Sequence, residues 1–239
     1  MTRQEQFSYK LSKLPPNLYL SPAFLFAWWD KVIERSGAQA ALKDHSPDFK
    51  LGRELWVAAI FACCKRIQND KEHWVKPVDD VAPDAIVAYM KRDALGFGQL
   101  MYPIEVTTYG SDSRNIENVL KSKLDKSYTG VTRIICYITG ADNSGVVDSR
   151  KLIKFVAENN PREYEVWLLG SLDSPIGSKV LPMRLVCLSA DEIYDFSYTE
   201  QKHIANSAEA FKMADGLSTN RKGTIEPLGQ ITLQFPEVA

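Results

Sequence analysis

The chain has 239 residues, enough for one well-cored domain, and its 45% hydrophobic and 25% charged content is that of an ordinary globular protein. A formal net charge of −1 excludes bulk electrostatic attraction to nucleic acid, so any such contact must come from a local patch. No apolar run approaches the roughly 20 residues that span a bilayer, so no membrane partner is expected.

In chain order, residues 1–20 read as an irregular lead-in broken by Pro15 and Pro16. Met1–Lys13 is polar and lacks the apolar core of a signal peptide, which points to a cytoplasmic protein. Ser21 and Pro22 form a helix start, with the serine as N-cap and the proline in the first turn; the helix runs to about Ser36 and stops at Gly37. Its Trp28 and Trp29 read as packing anchors rather than nucleic-acid stacking platforms. A second helix, from about Lys50 to Gln68, is apolar around most of its circumference, which predicts burial on several sides. Glu54 falls in its expected first turn, where the helix dipole favours a carboxylate. The four cysteines, Cys63, Cys64, Cys136 and Cys187, lie in apolar runs without zinc-ligand spacing and read as buried reduced thiols.

The segment from Val81 to Lys126 carries the chemistry. Pro83 and Asp84 open a strand, and Lys91–Gln99 supplies the breakers of a turn. Ile104, Glu105, Val106 and Thr107 then lie on a second strand. Alternation puts Glu105 and Thr107 on one face, with Ile104 and Val106 on the other. A hairpin with its tip at Ala94 and Leu95 would set Asp84 opposite Glu105, with Cβ atoms roughly 4.5–5.5 Å apart, close enough to share a divalent cation. A tip nearer Gly96 would shift that pairing by several residues. Ser111–Ser113 offers N-caps for a following helix reaching about Tyr128, whose buried stripe is Ile116, Val119, Leu120 and Leu124. Lys123, seven residues after Ile116, projects from nearly the same face; snorkelling to solvent is the ordinary account of such a lysine. Lys121 sits on the polar side with Arg114, suited to phosphate contact, although a solvated helix face is the commoner origin of such a run.

Arg133–Thr139 is an apolar run typical of a central strand. Asp148 or Ser149 caps a helix to about Asn160, and Glu165–Leu169 is a further strand, so the three elements read as a parallel crossover. Leu181–Leu188 is another strand, helical segments are expected from Ala190, and a last strand at Gln230–Phe235. No linker, repeat or low-complexity stretch divides the chain, which predicts a single domain over 1–239.

The order helix, Pro-Asp strand, hairpin, Glu-x-(Lys) strand, helix and apolar strand, carried by Pro83-Asp84 and Glu105-Val106-Thr107, resembles the PD-(D/E)xK nuclease superfamily. The resemblance implies an α/β protein with a restriction-endonuclease-like mixed central sheet flanked by helices. On that frame 1–48 is a helical N-terminal extension, 49–170 the nuclease-like core, and 171–239 C-terminal strands and a helix. It further implies metal-dependent hydrolysis of phosphodiester bonds in nucleic acid, DNA first of all, with Mg²⁺ or Mn²⁺ as cofactor and a homodimer as an assembly to consider. Asp84 and Glu105 become the metal ligands, with the Val106 carbonyl as a backbone ligand and Glu54 as an acidic residue of the first core helix aimed at the metal. Thr107 occupies the signature lysine position and carries no charge. In some members of the superfamily that lysine has moved to the following helix, which makes Lys123 the catalytic substitute.

Two other readings remain at this point. A nuclease-fold protein that no longer cleaves, serving as a nucleic-acid or protein interaction module, is favoured by Thr107. An unrelated α/β domain would show Asp84 and Glu105 on opposite faces. Other catalytic schemes lack their motifs: there is no G-x-S-x-G elbow, no Walker loop and no dinucleotide fingerprint. His45, His73 and His203 have no ligand spacing, and His73 reads as a surface or core residue. Gly140–Gly145 reads as a turn after a strand.

Overall fold

A computed structural model of the chain describes residues 18–37, 47–78, 82–93, 96–110, 115–128, 130–139, 147–171, 182–190, 192–197 and 211–213. His45, Arg114, His203, the cap candidates Ser111–Ser113, the Gly140–Gly145 turn and the Gln230–Phe235 strand lie outside these residues.

The described strands form one nine-stranded mixed sheet. In chain order they are β1 (Leu18–Leu20), β2 (His73–Pro77), β3 (Ala85–Asp93), β4 (Gly96–Tyr109), β5 (Arg133–Ile138), β6 (Glu165–Ser171), β7 (Pro182–Cys187), β8 (Glu192–Ser197) and β9 (Phe211–Met213). Their spatial order is β8-β7-β6-β5-β4-β3-β2-β1-β9. β4, β5 and β6 are parallel, and every other neighbouring pair is antiparallel. The helices are α1 (Pro22–Ser36), α2 (Pro47–Asn69), α3 (Ile116–Leu124) and α4 (Ser149–Asn159). Parallel strands need crossovers, and α3 and α4 supply those from β4 to β5 and from β5 to β6.

The helix ends follow their local chemistry. Ser21 Oγ accepts from Phe24 N–H at 3.2 Å with Pro22 in the first turn, and Gly37, at φ 81°, closes α1 by donating to the Ile33 carbonyl at 2.8 Å. Asp148 caps α4 by accepting from Arg150 and Lys151 N–H. α3 begins later and ends earlier than its sequence predicts: Asn115 is its cap, accepting from Glu117 N–H at 2.8 Å, and the helix stops at Leu124, leaving Tyr128 in the segment beyond it.

Two cores sandwich the sheet. On one side α1 and α2 bury Trp29, Phe26, Leu55, Ile60 and Phe61 against Val87, Ile104, Val106, Ile135 and Leu169. Each such side chain, fully buried, contributes about 1.5–3 kcal/mol. The uninterrupted burial of residues 52–65 of α2 agrees with its all-round apolar sequence, and Trp28 and Trp29 are packing residues. On the other side α3 and α4 bury Leu120, Leu124, Leu152 and Val156 against Ile134, Cys136, Val166 and Leu168. All four cysteines are buried free thiols.

Three expectations need correction. Leu18–Leu20, expected to be irregular, is a buried strand between β2 and β9. Glu54 lies in the second turn of α2 rather than its first, because the helix starts at Pro47. Residues 192–197, expected to be helical, form β8 against β7. There the alternation of half-buried Glu192 and Tyr194 with exposed Ile193 and Asp195 matches a strand period, and the Arg184–Asp195 ion pair spans the two strands at 2.6 Å.

Candidate active site

The β3–β4 hairpin decides the geometry. Asp93 pairs with Gly96, and the ladder runs back to Ala85 opposite Ile104; the expected tip residues, Ala94 and Leu95, lie outside the described residues. One step further, Asp84 stands beside Glu105. Asp84 is tied to β4 by a hydrogen bond that its Oδ2 accepts from Val106 N–H at 2.7 Å. Ile104 and Val106 point into the α1/α2 core. Glu105 therefore projects to the face covered by α3 and α4, where its side chain is only 4% exposed.

A carboxylate buried on a sheet face is costly unless paired. Its partner comes from α3: Lys123 Nζ donates to Glu105 Oε1 at 2.5 Å. Leu120 and Leu124 seat the helix on the sheet, and Lys123 between them is carried over β4. Its ammonium turns inward to Glu105 rather than snorkelling outward. Thr107 is half-buried on β4, on the same face as Glu105 and beside Cys136 of β5, and contributes no charge.

Glu54 approaches from α2. It is 8% exposed, and Lys50 Nζ pairs with its Oε1 at 3.4 Å. Burial, then the nearby Asp84 charge, raise its carboxyl from 4.5 to about 7, against the lowering pull of Lys50 and Lys123. Asp84 is raised as well, first by burial and then by Glu105, while the Val106 N–H, Lys123 and Lys50 oppose the shift. The three carboxyl groups are thus one electrostatic unit with two lysines. Among the described residues, however, no three His, Cys, Asp or Glu side chains stand close enough to hold one ion. The expected ligand set including Glu54 is therefore not assembled, and Asp84 with Glu105 is the pair the hairpin brings together.

That pair has donor capacity suited to a hard cation. Glu105 Oε2 is buried and has no hydrogen-bond partner among the described residues. An oxygen-only set of one or two carboxylates is what Mg²⁺ or Mn²⁺ takes, with water completing the shell. Val106, expected to offer its carbonyl, is seen here through its N–H bond to Asp84.

Tyr128 adjoins the same carboxylate and was missed by sequence reasoning, because it lies past the end of α3 where no periodicity points to it. Burial, followed by the Glu105 charge, pushes its phenol well up, so it stays protonated. Among the described residues, neither the Tyr128 hydroxyl nor Glu105 Oε2 completes a well-directed hydrogen bond. Lys121 is exposed on α3 and pairs with Asp125 at 3.3 Å. His73 is a core residue, 2% exposed between the Tyr89 and Tyr102 rings, with Nδ1 2.7 Å from the Lys71 carbonyl. Burial lowers its pKa, and it takes no part in the site.

In comparisons with known proteins, no family model, no curated protein and no solved structure matches the chain.

Proposed function

We propose that this chain is a metal-dependent nuclease with a PD-(D/E)xK-like site on a restriction-endonuclease-like core, hydrolysing phosphodiester bonds of nucleic acid, DNA first of all. The observation that carries the reading is the inward Lys123, bonded to Glu105 on the strand beside Asp84. It supplies from α3 the cation that Thr107 does not. The order α2-β2-β3-β4-α3-β5, with an antiparallel hairpin followed by a parallel crossover, supports the same reading.

Asp84 and Glu105 would hold Mg²⁺ or Mn²⁺, which when bound neutralises phosphoryl charge and acidifies water. The chain's own residues do the rest. The Val106 N–H holds the Asp84 carboxylate against β4. Lys123 fixes Glu105 and places a positive charge where negative charge develops on the phosphoryl group, a contribution of several kcal/mol in comparable sites. Glu54, with its carboxyl near 7, can exchange a proton at neutral pH. Exposed Lys121 gives the nucleic-acid backbone a contact beside the site.

Thr107 at the signature position favours a second reading, a nuclease-fold module that binds nucleic acid or a protein without cleaving. One experiment separates them: cleavage of single- and double-stranded DNA with Mg²⁺ or Mn²⁺ by wild type and by Glu105→Ala. Metal-dependent cleavage lost in the variant supports the nuclease. Cleavage unchanged in Glu105→Ala refutes the assigned site, and DNA binding that survives both chelation and the substitution supports the second reading.

A further inference from the structure

The segment after α3 that carries Tyr128 is pinned to the turn before β6. Arg162 Nη1 donates to the carbonyls of Asp125 at 3.4 Å and Lys126 at 2.6 Å. Tyr128 N–H donates to the Tyr164 hydroxyl at 3.0 Å, and that hydroxyl donates to the Lys126 carbonyl at 3.0 Å. The two tyrosine rings meet edge to face, with centroids 5.4 Å apart. Asn160 locks Tyr164 in turn through reciprocal side-chain bonds of 2.9 and 2.7 Å. These contacts fix the backbone and ring of Tyr128, and none of them uses its hydroxyl.

That hydroxyl is buried within reach of the Glu105 side chain, and among the described residues neither it nor the buried Glu105 Oε2 has a well-directed partner. Two unpartnered polar groups side by side, one a donor and one an anionic acceptor, are costly apart and relieved together. Glu105 Oε1 is already taken by Lys123. We propose that Tyr128 is a positioning residue of this site: its hydroxyl donates to Glu105 Oε2, so that Lys123 and Tyr128 hold one oxygen each. The carboxylate plane is then fixed for a divalent cation shared with Asp84. Its purpose rests on the nuclease reading; the contact itself does not.

The test compares Tyr128→Phe with wild type, and the same substitution in a Glu105→Gln background. Phenylalanine keeps the ring contact and the backbone bond to Tyr164, and a melting curve verifies that the variant folds. In the metal-free proteins, the infrared carboxylate stretch is expected to shift on Tyr128→Phe and the shift to vanish when Glu105 is replaced. Calorimetric titration with Mn²⁺ alone is expected to show binding about tenfold or more weaker in Tyr128→Phe. No infrared shift, or one that persists in the Glu105→Gln background, overturns the contact. An infrared shift with unchanged Mn²⁺ affinity overturns the positioning role. An infrared shift in a wild type that binds no Mn²⁺ upholds the contact and overturns the nuclease reading instead.

Discussion

Replacing Glu54 by glutamine tests the electrostatics of the site quantitatively and without metal. Its carboxyl is raised from 4.5 to about 7 by burial and by Asp84. A carboxyl that binds its proton more tightly when folded favours the native state below about pH 4.5, and that contribution is lost as pH rises through about 7. At about 1.4 kcal/mol per tenfold in acidity, the full swing is on the order of 3 kcal/mol. Glu54→Gln preserves shape and abolishes the ionisation. It also loses the pair with Lys50, but that side chain is 61% exposed, so the loss is under about 1 kcal/mol. Urea unfolding at about pH 5 and about pH 8 should find the two proteins close at the lower pH and Glu54→Gln more stable by about 2–3 kcal/mol at the higher. His73, held below 6.5 by burial, loses stability on acidification, but it does so in both proteins and cancels in the difference. A stability difference that is the same at both pH values would refute the raised Glu54 carboxyl.

Lys123→Ala leaves Glu105, 4% exposed, without its counter-charge. Unfolding near neutral pH should show a loss of about 3 kcal/mol, and cleavage should fall about 10²–10³-fold. Full activity in that variant would remove Lys123 from the mechanism. Gly52→Ala probes the contact of α1 with α2: a Cβ at Gly52 would lie 2.7 Å from atoms of both the Trp28 and the Trp29 rings. Those rings are buried, so the substitution should cost about 1–3 kcal/mol in a melting experiment and outweigh the gain of up to about 1 kcal/mol in helix propensity. A stabilised Gly52→Ala protein would show that the two helices can separate at no cost.

The caps and periods were readable because they are local: Ser21, Pro22 and Gly37 bound α1, Asp148 caps α4, and the apolar runs of α2, β5 and β6 stand where they were expected. The pairing of Asp84 with Glu105 was readable for a related reason, since a hairpin's register follows from where its tip falls. The strand character of residues 192–197 was not, because it depends on β7 as a partner and its own sequence suits either state. Nor could the chain decide between a snorkelling and an inward Lys123, which depends on α3 settling over β4 with Leu120 and Leu124 buried beneath it. The segment that sets Tyr128 beside Glu105 is clamped by Arg162 and Tyr164, more than thirty residues further on, which no local pattern reveals. What was legible in the residues alone, the bounds of α1, the runs of α2, α4, β5 and β6, the crossovers around β5 and the facing carboxylates, depends on neighbours within a turn, a strand or a hairpin. Tertiary structure alone decided which cation answers the buried Glu105 and which hydroxyl stands beside it, because the cost of burying that charge is met by whatever the packed layers bring within reach.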